Sequence, residues 1–136
     1  FLKDVGGSEF YQIFYSDLKA GTHRMLTDGK SRYGSAIWDR QGKQFAYYST
    51  KRNGRDWDVY VATPDQPEKA RMVLSQGGTW YPYEFSPDGK QLLLGKYVCL
   101  NESCLYVLRI KDGKLTRFKR PISAPEGNQR QQNAKI

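Results

Sequence analysis

The chain holds 136 residues, 38% of them hydrophobic and 14% aromatic, with a net charge of +8. Ten tyrosines, six phenylalanines and three tryptophans exclude a disordered segment, whose composition lacks the apolar surface needed to fold. No run of about 18 apolar residues occurs, so no membrane-spanning helix is expected.

The chain opens on a strand-like "FLKD" and reads as a piece of a longer polypeptide. Two short strands follow, inside "FYQIFYSDL" and "HRMLT", separated by Ala20-Gly21-Thr22. The next expected strands are Ser35 to Trp38, Gln44 to Ser49, Asp56 to Ala62 and Ala70 to Leu74. Four more are Tyr83 to Phe85, Gln91 to Val98, Cys104 to Ile110 and Leu115 to Phe118. Gln41-Gly42, Asn53-Gly54, Asp88-Gly89 and Asp112-Gly113 separate them, the residues favoured where a hairpin needs positive φ. In "DVYVA", Val59 and Val61 face one way, Asp58 and Tyr60 the other.

These strands repeat. Trp38 lies over Phe85, Gly42 over Gly89, Lys43 over Lys90 and Gln44 over Gln91, at an offset of 47. Phe14, Tyr60 and Tyr106 follow one another at an offset of 46. A four-stranded repeat of roughly 40–50 residues is the sequence signature of a β-propeller blade. The expected fold is therefore all-β, a partial propeller of about two and a half four-stranded antiparallel blades. Residues 1–28 end one blade, 29–75 form a complete blade and 76–119 form another. The tail at 120–136 is polar, Gln/Asn-rich and without strand pattern, truncated or frayed. Closing a ring takes at least about four blades, so the others are expected from the rest of a longer polypeptide or from other chains.

Catalytic chemistry is hard to assemble from these residues. No Gly-x-Ser-x-Gly elbow occurs: Ser8 and Ser35 follow glycine but lack a glycine two positions on. The lone His23 starts an outer strand and reads as a surface residue. One histidine and two cysteines do not fill a zinc site, and Asp56 and Asp58 lack calcium-loop spacing. Phosphate-loop motifs are missing as well. No catalytic residue, metal or cofactor is assigned.

The 22 lysines and arginines raise nucleic acid as a partner. They are spread along the chain, however. The densest run, Lys111, Lys114, Arg117, Lys119 and Arg120, alternates with Leu115 and Phe118 as a solvated strand face does. No nucleic-acid partner is expected.

Two features remain. Cys99 and Cys104 flank "LNES" between two strands, and a hairpin that paired them directly would bring them within disulfide range. A bridge there would place the protein in an oxidising compartment, periplasmic or secreted rather than cytoplasmic; two half-buried thiols are the other reading. The loops "TKRNGRDW" and "SQGGTWYPY" emerge on one face of a propeller. They would carry Arg52, Arg55, Trp80 and Tyr81 as a ligand or domain-interface rim, unless the aromatics pack between blades and the arginines are merely solvated.

"WDRQGKQFAYYSTKRNGRDWDVYV" and "FSPDGKQLLL" resemble the WD40-like repeat of TolB-type propellers and of the N-terminal propellers of prolyl oligopeptidase family serine peptidases. The resemblance covers about residues 1–119. "DVGGSEFYQIFYSDLKAGTHRMLTDGKSR" and "LLLGKYVCLNESCLYVLRIKDGKLTRF" pull it toward the peptidases. Trp38-Asp39-Arg40-Gln41 departs from the family pattern, replacing Trp-Ser-Pro-Asp. The resemblance implies a non-catalytic segment that gates substrate access, with an α/β-hydrolase domain of the same parent chain as partner and peptide as substrate. The alternative is a stand-alone TolB-like propeller for protein–protein interaction.

Overall fold

The computed structural model describes residues 1–7, 10–97 and 104–118. They form eleven strands: β1 (Leu2–Lys3), β2 (Gln12–Asp17), β3 (Thr22–Met25), β4 (Ile37–Trp38), β5 (Phe45–Ser49), β6 (Asp58–Ala62), β7 (Arg71–Leu74), β8 (Trp80–Phe85), β9 (Gln91–Lys96), β10 (Leu105–Arg109) and β11 (Leu115–Phe118). All ladders between them are antiparallel. They make three sheets in sequential order: β1-β2-β3, β4-β5-β6-β7 and β8-β9-β10-β11. The expected tail at 120–136 lies outside the described residues.

Every strand expected in the two complete units is present. The largest difference is β8, which starts at Trp80 rather than Tyr83 because Trp80 already pairs with Lys96 and Tyr81 with Gly95. A bulge then separates Pro82, opposite Leu94, from Glu84, opposite Leu93. Tyr83 is the extra residue, a local irregularity that raw alternation does not reveal.

Period-two alternation divides the core into two layers. Phe45, Tyr47, Tyr60 and Ala62 of the middle sheet pack with Ile13, Leu26 and Tyr33 of the first unit and its linker. Ala46, Val59 and Val61 point the other way, onto Trp80, Phe85, Leu92, Leu94 and Leu108 of the third sheet. The middle sheet is thus apolar on both faces, which explains why all of β6 is buried. In the third sheet Leu92 and Leu94 fill the gap between sheets, whereas Leu93 lies on the opposite face. Each fully buried leucine of this kind contributes about 1.5–3 kcal/mol.

Turns between first and second strands complete the contact. Gly89 takes φ 73° in "SPDG" and Gly42 takes φ 70° in the preceding unit. In the third unit Ser86 Oγ donates to Asp88 and accepts from the Gln91 amide. In the second unit Asp39 stands where Ser86 stands, and its carboxylate accepts from the Lys43 and Gln44 amides. The loss of the Ser-Pro-Asp pattern is therefore made good locally. Across the gap, Gln44 Nε2 donates to the Gly89 carbonyl at 2.8 Å and Gln41 Nε2 to the Pro87 carbonyl at 3.1 Å. Further out, Arg24 donates to the Pro64 carbonyl and Arg71 to the Ile110 and Lys111 carbonyls. Consecutive units are thus latched at this end of the strands by side chains that grip turn carbonyls.

Candidate functional site: the loop rim and its aromatic row

The opposite end gathers the loops between second and third strands and the linkers between units. Glycine and small polar residues let these segments close up. Asn53 Oδ1 accepts from the Arg55 and Asp56 amides, and Gly54 takes φ 74°. The loop then docks on the linker: the Trp57 amide donates to the Gly78 carbonyl at 2.9 Å and the Trp80 amide to the Trp57 carbonyl at 3.2 Å. Asp56 Oδ1 accepts from the Gly78 amide. On the other side, the Gly34 amide donates to the Tyr48 carbonyl and Ser49 Oγ to the Arg32 carbonyl. The two loop types that carry the expected rim residues therefore do meet.

Arg52 lies against Asp58, a carboxylate with no exposed surface, at 2.6 Å from Nε to Oδ2. Its Nη2 reaches Asp58 Oδ1 at 3.1 Å, so the pair is bidentate. The bond from Asp58 raises the Arg52 pKa further. Hydrogen bonds from Asn53 and the Gly78 amide hold Asp56 below the usual carboxylate range. Arg55 is the outward member, its side chain 82% exposed, with Asp56 at 3.5 Å.

Trp80 is not on the rim. It is 2% exposed and sits in the layer between the second and third sheets. Its indole donates to the Gly77 carbonyl, its ring packs on Tyr106, and Lys96 lies over it at 5.0 Å. β-Strand alternation, combined with a start three residues earlier than expected, sends its side chain inward. Tyr81, half-buried, stays at the edge.

Sequence reading missed three members of the site. Trp57 packs on Tyr48 at 5.1 Å between ring centroids, Tyr48 on Tyr81 at 6.1 Å and Tyr81 on Tyr83 at 5.2 Å. This continuous row contains only one residue of the expected set, Tyr81. The signal that points to it is the pair of glycines at 34 and 95, on which the Tyr48 and Tyr81 rings rest. The hydroxyls of Tyr83 and Tyr81 are 3.4 Å apart, and this hydrogen bond, with some burial, pushes Tyr83 up to about 12.

A second polar group flanks the first layer. Asp28 accepts from Ser31 Oγ at 2.6 Å and from the Lys30 and Ser31 amides. Burial opposes its ionisation, but these bonds outweigh it and lower its pKa. Burial pushes Tyr33 up to about 12 and raises Tyr47 and Tyr60. Lys51 Nζ lies 4.2 Å from the Tyr60 ring centroid, and burial lowers its pKa.

Among the described residues no group of three His, Cys, Asp or Glu side chains is placed to hold a metal ion. His23 is exposed on β3 and touches Phe1 edge-on. No described helix is long and apolar enough to cross a membrane. Cys99 lies outside the described residues. Cys104 is buried, and its carbonyl accepts from the Lys96 amide.

No protein-family model and no curated protein matches the chain. Solved structures do. TolB from Acinetobacter baumannii is similar at 19% identity and a TM-score of 0.67, over 85% of this chain and 28% of that one. Dipeptidyl peptidase 4 of Porphyromonas gingivalis is similar at 18% identity and a TM-score of 0.61, over 99% of this chain and 20% of that one. The β-propeller domain of the Trilobed protease from Pyrococcus furiosus is similar at 14% identity and a TM-score of 0.61, over 90% and 38%. The chain thus spans well under half of each of these structures. The likeness shows the fold: the three sheets are blades of a β-propeller.

Proposed function

We propose that this chain is a non-catalytic β-propeller segment that gates the access of peptide substrate to a serine peptidase domain of the α/β-hydrolase type in the same parent polypeptide. The observation that carries this reading is the rim. A gate has to exclude by shape, and here the loop of the second unit, residues 50–57, is hydrogen-bonded through main-chain groups to the linkers on both sides of it. The repeat motifs that resemble the peptidase propellers and the similarity to two peptidase structures support the same reading. The role assigned to this chain is steric and electrostatic, with the nucleophile elsewhere in the parent.

The test uses the parent polypeptide. A fluorophosphonate probe should label it, and it should cut short peptides but not a folded protein containing the same sequence. Asp56→Ala, which removes the carboxylate joining loop to linker, should raise cleavage of the folded protein relative to the peptide. A parent that resists the probe sinks the proposal, and so does discrimination that Asp56→Ala leaves unchanged.

The similarity to TolB favours a second reading, a propeller that binds a protein partner through its loop face. A parent that resists the probe yet purifies with one stoichiometric partner would select it. Both readings accommodate an oxidising compartment. There we propose a Cys99–Cys104 bridge, which requires both thiols to resist alkylation until a reductant is added.

A further inference from the structure

Gly34 and Gly95 differ from every other glycine among the described residues. The others take positive φ, as turns require; these two do not. What makes them glycines is a ring. A Cβ built on Gly34 would lie 2.1 Å from Tyr48 Cε1 and Cζ, and one built on Gly95 would lie 2.5 Å from Tyr81 Cε2 and 2.8 Å from Tyr83 Cε2.

The two sites are equivalent. Gly34 and Tyr81 stand 47 residues apart, as do Tyr48 and Gly95. In one unit the ring comes from the second strand and rests on a glycine beside the first. In the next unit the ring comes from the first strand and rests on a glycine of the second. The residues have exchanged while the ring has kept its place. Rings at this position in neighbouring blades touch, and Trp57 and Tyr83 extend the contact at either end.

The row is also open. Tyr83 is 48% exposed, and Tyr48, Trp57 and Tyr81 are half-buried. Tyr83 is the extra residue of the β8 bulge, a device that re-aims a side chain away from the ladder. Charge gives the row a direction. Arg55 lies two residues before Trp57 and Glu84 follows Tyr83, both exposed. Arg55 shares its carboxylate, Asp56, with Arg52, Asn53 and the Gly78 amide. A guanidinium has five donors, so Arg55 retains the capacity to take a further carboxylate.

We propose that Trp57, Tyr48, Tyr81 and Tyr83 form a binding strip for an extended peptide segment with aromatic side chains, oriented by a carboxylate on Arg55. Ring centroids 5.1–6.1 Å apart suit the side chains on one face of an extended chain, which recur about every 6.6 Å. The paired hydroxyls of Tyr81 and Tyr83 offer donor and acceptor to the peptide main chain. This inference rests on the peptide-gating reading and adds the surface on which the peptide lies.

The probe is the peptide acetyl-Glu-Phe-Gly-Tyr-Gly-amide, with serine in place of both aromatics as control. Calorimetry and the ring resonances of Tyr81 and Tyr83 are the readouts. The aromatic peptide should bind and shift both rings, the serine control should bind at least about fivefold more weakly, and Tyr83→Ala should weaken binding by about fivefold. Arg55→Glu should remove the preference for the acidic end. Should Tyr83→Ala unfold, the ring shifts in the unaltered protein decide alone. Equal affinity for both peptides, no binding, shifts remote from the row, or preference for a neutral oligosaccharide each overturns the strip. A parent that resists the fluorophosphonate while the strip still binds peptide sinks only the gate. A labelled parent that excludes folded proteins but shows no ring shifts sinks only the strip.

Discussion

At the scale of single residues, the tightest constraint is the seating of rings on glycine. Gly34→Ala should destabilise by about 1–3 kcal/mol, because its Cβ would enter the space of the Tyr48 ring. Tyr48→Ala in the same chain should recover most of that loss. A double-mutant cycle on urea unfolding reads the coupling; additive effects would mean that the ring is not what keeps residue 34 small. The Arg52–Asp58 pair makes a second test. Asp58 has no exposed surface, so Arg52→Ala leaves a buried carboxylate unpaired. It should lower the unfolding midpoint clearly, and Arg55→Ala, on a side chain 82% exposed, should barely move it. Equal effects from the two would contradict the assigned geometry. Tyrosine burial gives a pH dependence with a definite sign. Burial raises the Tyr33 pKa from its ordinary value near 10 to about 12 and raises Tyr47 in the same direction. A raised folded-state pKa contributes stability that is complete below the unfolded value and is lost as pH climbs through the folded value. Denaturant midpoints should therefore hold below pH about 10 and fall as pH rises toward about 12, in step with phenolate absorbance. Tyr33→Phe should flatten part of that fall.

At the scale of elements, stability resides between sheets rather than in any one of them. Leu94→Ala removes a side chain with no exposed surface from the layer between second and third sheets, and should cost about 2–5 kcal/mol. Leu93 is also buried, at 7% exposure, but lies on the other face and outside that layer, so Leu93→Ala should cost less than Leu94→Ala. The strands themselves were legible because alternation and the Asp-Gly and Asn-Gly turns carry their own physics. Phe45 and Ala46, neighbours in sequence, go to opposite layers as a period of two demands. The row of rings was less legible. "TWYPYEF" places three aromatics within four residues, and alternation alone cannot say which one turns inward. Trp80 and Pro82 go inward and Tyr83 outward as alternation has it, but the β8 bulge breaks the pattern after Pro82, so Glu84 is exposed and Phe85 buried. Bulges depend on cross-strand pairing, which no local pattern records. The same holds for the inter-unit latches. The repeated Gly-Lys-Gln announces a recurring turn, but only the folded chain shows Gln44 reaching the Gly89 carbonyl of the next unit.

At the scale of the whole molecule, the two outer sheets determine behaviour in solution. The two inner strands of the middle sheet, β5 and β6, are covered on both faces by its neighbours. The first sheet keeps its other face open: Phe1 is 54% exposed and Met25 40%, beside Phe14, on which Phe1 stacks. Among the described residues β1 is an edge strand of that sheet. The Phe1 and Phe14 main chains exchange both hydrogen bonds, so the Leu2 amide and carbonyl point away from β2 toward the open edge. An apolar face next to an unpaired edge favours association with another strand or sheet. The 136-residue chain should therefore self-associate as its concentration rises, despite a net charge of +8 that opposes it. Leu2→Lys places a charge on that edge and should shift the association to higher concentration without lowering the unfolding midpoint, because Leu2 is not part of either core layer. Sedimentation equilibrium at several loading concentrations reads both effects. A mass that stays monomeric at every concentration would show that the open face and edge are inert, and stability would then have to arise within the three sheets alone.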